Sequence, residues 1–370
     1  MTSSNQSLTR GDDQPPPIIV APDHSLVHLR AALDELARKY EAQEIIVNDL
    51  VRHVASLKRS NRKTPLHKLP RKWVVSIACK TAYPLGVLRQ YPPRKLKLPA
   101  PPPPAPQHSP GFCILTPSYS QGRFIERTLS SVLEQSYPKV RYGVQDGGSQ
   151  DETLDILKRY ASRLAYFDSA PDGGQANAIN LGFERLQPQE GEIMAWLNSD
   201  DILLPGCLER VAAYFHNHPE VDAVYGHRVI IDEDDREVAR WYLPQHDQKT
   251  LAWVDFIPQE TLFWRASVWK KTGGLDPSFE FALDWDFLLK LEIAGCVLHR
   301  IPEFLGCFRV HDTQKTHLHI NHTGLKEMNR LRDKQAVSPF EREQHIHNAI
   351  KTQCLRSGWI CRLWSLGIKT

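Results

Sequence analysis

The stretch EIMAWLNSDDILLPGCLERV, residues 192–211, joins a short apolar run to two adjacent carboxylates. Apolar residues fill the positions from Ile193 to Leu197, as in a buried strand. The run then ends abruptly in the polar sequence NSDD, which contains Asp200 and Asp201. Taken alone, these carboxylates could belong to a surface turn or cap a helix, because the proline that follows suits a first helical turn. The segments around the strand decide between a turn and a functional site.

The preceding segments alternate between strand and helix patterns. Short apolar runs that predict strands lie at 112–115, 140–144, 164–167 and 192–197. Helical periodicity is present at 123–135, 151–163 and 175–186. This alternation predicts an α/β fold with a mostly parallel central sheet that is flanked by helices.

A polar loop follows each of these strands. The loops read TPSYSQGRF (116–124), QDGGSQDET (145–153), DSAPDGGQANAINLG (168–182) and NSDD (198–201). Gly147 and Gly148 would let the backbone approach a ligand closely, and Asp146 and Asp151 could accept hydrogen bonds from a base or a ribose. Ligands bind at the carboxyl ends of strands in such sheets, so we expect the loops to form one site.

Two phosphate-binding motifs are absent from the sequence, namely G-x-G-x-x-G after the first strand and G-x-x-x-x-G-K-[ST]. Neither a dinucleotide cofactor nor a P-loop triphosphate site is therefore indicated. A carboxylate pair can instead hold Mg²⁺ or Mn²⁺ while substrate phosphates and water complete the coordination shell. Such an ion would neutralise a departing diphosphate.

Residues 111 to about 315 resemble a family-2 glycosyltransferase of the nucleotide-diphospho-sugar transferase (GT-A) fold. The resemblance is carried by TPSYSQGRFIERTLSSVLEQSYP, DGGSQDET and NSDD. It implies a nucleotide-diphosphate sugar donor, a glycan or lipid-linked glycan acceptor, and Mn²⁺ or Mg²⁺ as cofactor. The donor-binding positions that it implies are Pro117, Tyr119, Asp146, Asp172, Gln175, Asn180, Asn198, Asp200 and Arg309. It implies Asp201 as a metal ligand, with His311 of the Arg-x-His element as a second.

Three positions depart from the commonest family versions, and they leave the base preference open. These are Ser120, where Asn is frequent, Gly147, where a second Asp is frequent, and Asn198, where the acidic motif usually begins with Asp.

An acceptor hydroxyl needs a group that takes its proton, and a positioned carboxylate can do this. The segment 258–295 offers Glu260, Asp276, Asp284 and Asp286. The resemblance places the base at Asp284, before a helix-like stretch whose N-terminus would favour a charged carboxylate; an N-cap is the structural alternative. We expect Asp286 to be structural. The candidate acceptor-binding residues are Gln259, Glu260 and Trp285. A single displacement with one base predicts inversion at the anomeric carbon.

The flanking regions divide into four further segments. Residues 1–24 are predicted to be disordered, and 25–60 carry an a/d heptad pattern that predicts a coiled coil and a homo-oligomer. The alternative for the heptads is an amphipathic helix packed on its own domain. Residues 61–110 are a basic and proline-rich linker, for which an SH3-type ligand is the functional alternative, and they precede a catalytic domain at 111–320. The tail 321–370 predicts helices that either contact a membrane interface or pack on the domain.

The composition limits the protein class. Lys and Arg number 46 against 43 Asp and Glu, so the net charge of +3 gives no indication of a nucleic-acid partner. The 7 cysteines form no Cys-x-x-Cys pair, which favours reduced thiols in a cytoplasmic protein. We expect no signal peptide and no spanning helix, with peripheral contact at the inner face of a membrane. Two alternatives stay open: a non-catalytic, nucleotide-binding coiled-coil scaffold, and a sugar nucleotidyltransferase.

Overall fold

The computed structural model describes residues 85–314 and 320–369. The predicted disordered segment 1–24, the coiled coil 25–60 and the first part of the linker lie outside these residues. The strands are β1 (Phe112–Ser118), β2 (Val140–Asp146), β3 (Tyr166–Ser169), β4 (Ile193–Trp196), β5 (Ile202–Leu203), β6 (Ala223–Ile231), β7 (Glu237–Trp241), β8 (Phe263–Arg265) and β9 (Leu298–Arg309).

Helices lie between and after these strands. They are α1 (Gly122–Leu133), α2 (Thr153–Tyr160), α3 (Gln175–Leu186), α4 (Cys207–Asn217), α5 (Gln248–Leu251), α6 (Ala266–Thr272), α7 (Leu283–Ile293), α8 (Leu325–Asp333) and α9 (Pro339–Ser365). Short 3₁₀ helices lie at Ala161–Arg163 and Gln259–Thr261, and a π-helical turn lies at Ile320–Gly324.

The strands form one mixed sheet in the order β3-β2-β1-β4-β8-β6-β9-β5, with β7 paired to β6. The first four strands are parallel to one another, which confirms the α/β class. Beyond β4 the sheet is mixed: β8 runs antiparallel to both β4 and β6, β9 runs parallel to β6, and β5 runs antiparallel to β9. β6 and β7 form an antiparallel hairpin, as a short connection requires.

Aromatic packing holds α7 against the centre of the sheet. The rings of Trp196 and Trp264 lie 5.3 Å apart, and Phe287 of α7 lies 5.0 Å from Trp264. Each of these three side chains is fully buried. Edge-to-face pairs of this kind add to the free energy gained from burial. The first turn of α7 is therefore fixed beside the carboxyl edge of β4.

The described half of the predicted linker packs along the domain. The amide of Gln90 donates to the carbonyl of Val238 at 2.9 Å, and Arg94 pairs with Glu237 in an antiparallel bridge. Farther on, the carbonyl of Ala100 accepts from the guanidinium of Arg210. Residues 85–110 are therefore not a free spacer; they run beside β7 and then reach α4.

The tail is helical, and its buried face packs on the domain. Ser338 and Glu341 form a capping box before α9, and Pro339 occupies the first helical position. Near its end, Trp364 contacts the rings of His227, Tyr242 and Phe304. Of the two alternatives for the tail, packing on the domain therefore describes this face of α9. Over residues 85–314 and 320–369, no helix combines the length and apolarity that crossing a bilayer requires.

Candidate functional site

The acidic motif forms a fixed turn at the carboxyl edge of β4. The hydroxyl oxygen of Thr128 on α1 lies 2.8 Å from the carbonyl oxygens of both Ser199 and Asp201, so it can donate to either. Asp201 is 2% exposed, and its Oδ1 accepts the backbone amide of Arg309 at 3.0 Å. Asp200 faces the other way, and its side chain is 20% exposed. The two adjacent carboxylates thus have different environments.

Burial raises the pKa of the Asp201 carboxyl well above its usual range, and the charges of Asp200 and Glu260 raise it further. The backbone amide of Arg309 acts in the opposite direction but is outweighed. Negative charge is therefore concentrated at this turn, and a cation placed there would relieve the repulsion.

His311 lies beside Asp200. Its Nε2 is 3.0 Å from Asp200 Oδ2, and its Nδ1 is 2.9 Å from the hydroxyl of Thr313, which orients the ring. Metal–ligand distances of about 2.0–2.1 Å in an octahedral shell put neighbouring ligand atoms about 3 Å apart. The observed separation therefore fits two ligands of one cation. No group of three or more His, Cys, Asp or Glu suited to a metal is found among the described residues.

Arg309 is buried and is not available for the donor contact that the resemblance implied. Its side chain is 1% exposed, its Nε donates to the carbonyl of Asp200 at 2.8 Å, and its NH1 donates to the carbonyl of Asp232 at 3.0 Å. The guanidinium also lies 5.0 Å from the ring centre of Phe124. Arg309 therefore supports the acidic turn from behind, and direct contact with a diphosphate is not supported.

The loop after β2 is organised by Asp146. This fully buried carboxylate accepts from the amide and hydroxyl of Ser149 at 2.9 and 2.6 Å, and from the hydroxyl of Ser169 at 2.6 Å. Asp146 thus shapes the loop that was expected to contact a base. Pro117 is likewise buried, within β1.

An open face lies beside this loop. Tyr119 is 65% exposed, and a Cβ added to Gly147 would lie 3.2 Å from both the Tyr119 ring and the Asp172 carboxylate. Burial raises the pKa of Asp172, and the charge of Asp146 contributes, although the amide of Gly174 opposes the shift. The absent side chain at Gly147 thus lets Tyr119 and Asp172 approach each other at the strand ends.

The start of α3 contacts the acidic motif. Gln175 Nε2 donates to Asn198 Oδ1 at 2.9 Å, which joins two of the expected donor-binding residues. Asn180 is different, because its amide makes two hydrogen bonds with the backbone of Leu275, at 2.9 and 3.0 Å. Asn180 therefore ties α3 to a loop. A cavity of about 220 Å³ lies between residues 173–177 and 277–280.

Asp284 lies in the first turn of α7. The N-cap position belongs to Ala282, so the alternative that Asp284 caps the helix is wrong. Glu327 of α8 instead accepts the backbone amides before the helix. Asp286 is buried and pairs with Lys290 at 3.1 Å, consistent with a structural role.

The three candidate acceptor-binding residues are buried. Gln259 Nε2 donates to the carbonyl of Trp196 at 2.7 Å, and Trp285 Nε1 donates to that of Leu251 at 2.8 Å. Glu260 pairs with the guanidinium of Arg228 through contacts of 2.8 and 2.5 Å. These hydrogen bonds and this ion pair serve the fold, while Gln259 Oε1 is buried with no hydrogen-bond partner among the described residues. Burial does not support direct contact with an acceptor.

Arg228 and Asp255 are two charged residues that the sequence did not indicate. Burial lowers the pKa of Arg228, but Glu260, Asp201 and Asp255 together leave it raised. Asp255 opens onto the surface, yet the surrounding protein limits its hydration, and this raises the pKa of its carboxyl well above the usual range. The charge of Asp284 adds to that increase. Neither residue lies in a motif, so no local signal identifies it.

Comparisons with known proteins point to one family. Residues 113–270 match the family described as Glycosyl transferase family 2. An uncharacterised glycosyltransferase of Rickettsia typhi is 26% identical over 223 residues, which span 58% of this chain and 68% of the relative. One from Mycobacterium tuberculosis is 28% identical over 188 residues, spanning 49% of this chain and 69% of the relative.

Solved structures of similar fold include TarS of S. aureus, residues 1–349, in complex with UDP-GlcNAc. It has a TM-score of 0.49 at 17% identity and covers 65% of this chain and 71% of its own. A mannosyltransferase of Pyrobaculum calidifontis in complex with GDP-Man and Mn²⁺ also has a TM-score of 0.49 at 17% identity, covering 75% of this chain and 79% of its own.

The chain is a glycosyltransferase. Its residues 113–270 match glycosyl transferase family 2, the family that the sequence motifs indicated. This result favours the expected transferase over the scaffold and nucleotidyltransferase alternatives.

Proposed function

We propose that this glycosyltransferase is metal-dependent and inverting, and that it moves a sugar from a nucleotide diphosphate to a glycan or lipid-linked glycan during assembly of a cell-surface polysaccharide or glycoconjugate. The observation that most supports this proposal is the distance of 3.0 Å between Asp200 Oδ2 and His311 Nε2. A carboxylate on α7, Asp284, supplies the base.

Asp200 and His311 are the residues that would hold Mn²⁺ or Mg²⁺. This assignment replaces the expected ligand Asp201, because Asp201 is buried and already accepts a backbone amide. Diphosphate oxygens and water would fill the other coordination positions. The bound ion would supply positive charge that stabilises the departing diphosphate.

The donor base would lie against the open face at Tyr119. An exposed aromatic ring offers a stacking surface to any base, and the neighbouring Asp172 can accept a hydrogen bond from a base N–H. Gln175 and Asn198 hold the start of α3 against the acidic motif at 2.9 Å. These two residues would therefore fix the first turn of α3 beside the acidic motif, where we expect the donor to bind.

Asp284 would take the proton of the acceptor hydroxyl as the bond to the anomeric carbon forms. A retaining double displacement needs a second carboxylate that acts as nucleophile. The described residues single out no second carboxylate for that role. Single displacement with inversion is the mechanism that this arrangement favours.

The test is a binding and turnover experiment with UDP, GDP, CDP and dTDP and their sugars, with and without Mn²⁺. At one hundred times its dissociation constant, a ligand stabilises the fold by about 2.7 kcal/mol, which a thermal-shift assay detects. We expect one nucleotide to stabilise the protein in the presence of Mn²⁺, and Asp200→Ala to abolish the effect. Asp284→Asn is the matched control, which should bind normally but transfer no sugar.

Two outcomes would refute the proposal. The first is a folded native protein that none of the four nucleotides stabilises in the presence of Mn²⁺. The second is an Asp200→Ala variant that retains the full metal-dependent stabilisation, because this would move the cation elsewhere. The configuration of the product, read by NMR of its anomeric proton, tests inversion separately.

Self-association through residues 25–60 is also proposed, since their heptads predict a coiled coil. Light scattering of the full-length chain at increasing concentration should give a mass above the 42.3 kDa of one chain. A monomer at every concentration would contradict it. Peripheral membrane contact of the tail is tested by co-sedimentation with anionic vesicles, where no binding at low salt would argue against it.

A further inference from the structure

The hairpin between β6 and β7 places an acidic turn, residues 232–236, behind the acidic motif. Asp232 fixes the shape of this turn, because its Oδ1 accepts the amides of Asp234 and Arg236 at 3.0 and 2.8 Å. Asp235, at the tip, has a φ of 60°, a left-handed conformation that Asp and Asn tolerate better than most residues. The acidic turn is therefore a rigid element with a defined carboxylate at its tip.

The carboxylate of Asp235 bridges two arginines from different parts of the fold. Its Oδ1 lies 2.6 Å from NH1 of Arg309, and its Oδ2 lies 2.6 Å from NH2 of Arg127 on α1. The contact with Arg309 is an ion pair rather than an aligned hydrogen bond, because Oδ1 accepts no hydrogen bond of good geometry. The contact stabilises Arg309 through charge, because the Arg309 side chain is 1% exposed and a buried guanidinium needs a nearby anion.

Arg309 in turn contacts both aspartates of the acidic motif, one through its carboxylate and the other through its backbone carbonyl. Its backbone amide donates to Asp201, and its Nε donates to the carbonyl of Asp200. The ring of Phe124 contacts the Arg309 guanidinium on one side and lies 4.7 Å from the His311 ring. A continuous series of contacts therefore runs from Asp235 through Arg309 to Asp200 and His311.

We propose that Asp235 is a positioning residue of the metal site, which acts through Arg309 to keep Asp200 and His311 at the separation that one cation requires. The inference rests on the proposed function, since it concerns the cation of the same site. It assigns a role to Asp235, which lies in the turn between β6 and β7 and is not a proposed metal ligand. Partners that orient metal ligands typically change metal affinity 10- to 100-fold when they are altered.

The experiment measures Mn²⁺ binding to the full-length protein by the EPR signal of free Mn²⁺, without any donor sugar. Asp235→Asn removes the charge and keeps a residue that accepts a positive φ. We expect its Mn²⁺ dissociation constant to rise about 10-fold or more. Asp234→Asn is the matched control: it lies in the same turn, its side chain is 67% exposed, and it pairs with Arg236. Its dissociation constant should equal that of the native protein.

A second variant keeps the test decisive if Asp235→Asn does not fold. Arg309→Lys retains the buried positive charge but lacks the planar group that reaches both the Asp200 and Asp232 carbonyls, so it should weaken Mn²⁺ binding by a similar factor. Native affinity in a folded Asp235→Asn or Arg309→Lys variant would overturn the inference, and so would equal weakening by the Asp234→Asn control. A native protein that binds no Mn²⁺ refutes the proposed metal site itself, which distinguishes the two failures.

Discussion

The carboxylate of Glu237 joins the segment 85–110 to the edge strand β7. It is fully buried and accepts from the hydroxyl of Tyr91 at 2.6 Å, from Arg94 NH2 at 2.6 Å and from Arg240 NH2 at 2.7 Å. The amide of Lys97 also donates to it at 3.3 Å. We predict that Glu237→Gln destabilises the domain strongly, because an amide cannot balance two guanidinium charges and would direct its own donors at them.

The magnitude follows from the effect of these partners on the pKa. Burial alone would raise the pKa of Glu237, but the hydrogen bonds from Arg240, Tyr91 and Arg94 outweigh it and lower the pKa from 4.5 to about 2. At about 1.4 kcal/mol for each pKa unit, this corresponds to about 3 kcal/mol of stability. Breaking a buried ion pair by removing one partner costs a similar amount. We therefore expect Glu237→Gln to lower the free energy of unfolding by about 3 kcal/mol at pH 7.

Urea unfolding followed by tryptophan fluorescence measures this difference, and its pH dependence provides a second check. The pKa is lower in the folded state, so the stabilisation is fully present above about pH 4.5 and is lost as the pH falls toward 2. Glu303→Gln is the control, because its partner Lys369 is half-exposed and such surface pairs contribute up to about 1 kcal/mol. A loss below about 1 kcal/mol for Glu237→Gln, or one that is constant from pH 7 to pH 3, would refute the reasoning.

Three further predictions concern the core and the cleft. Gly182→Ala should cost about 1–3 kcal/mol of unfolding free energy, because its Cβ would overlap the buried Leu115; Gly111→Ala, with its nearest neighbour at 3.5 Å, should change chemical denaturation little. Asp284→Asn should lower kcat at least about 100-fold while nucleotide affinity stays unchanged in calorimetry; equal loss of both would point to misfolding. Asp201→Asn should raise the metal-free melting temperature at pH 7, because a carboxyl whose pKa is raised by folding destabilises the fold at any pH above its ordinary pKa of 3.8 in the unfolded chain. The gain should disappear below about pH 4, and no gain at pH 7 would contradict the assigned burial.

The fold was predictable where contacts are local in sequence. The periodicity of residues 175–186 predicts the helix α3, which has the same bounds in the structure, and the apolar run 192–197 contains β4. The second half of the sheet was not predictable in this way. Its strand β8 has only three residues and is set between β4 and β6 by pairing with distant segments. The residue pattern within one segment does not indicate which distant strand will pair with it.

The attachment of residues 85–110 was missed for the same reason. A proline-rich run has few backbone donors, and its composition alone predicts an extended spacer. The contact that holds it is made by Arg94 with Glu237, 143 residues farther along the chain. A single buried carboxylate on β7 therefore decides whether the run is free or bound, and nothing within the run indicates that carboxylate.

The residue types of the site were predictable, but their orientation was not. The motif identified the carboxylate pair and His311, yet the side chain that faces the histidine is Asp200, because the backbone of β9 occupies Asp201 from the other side. Contact with a donor or an acceptor was also predicted for polar residues near a motif that the structure shows to be buried. Glu260 and Arg309 are buried in ion pairs, and their sequence context gives no sign of those partners.

The same charge arrangement occurs twice among these residues. Asp201 is next to the more exposed Asp200, and Asp255 interacts electrostatically with Asp284; in each case limited hydration, followed by the neighbouring charge, raises the pKa of the first carboxyl. Arg228 interacts electrostatically with both Asp201 and Asp255, and although burial lowers its pKa, these charges and that of Glu260 leave the pKa raised, so the guanidinium stays charged. A cation at Asp200 would offset one of the charges that raise the pKa of Asp201, although burial would still raise it, so metal binding and the protonation of Asp201 are expected to be linked.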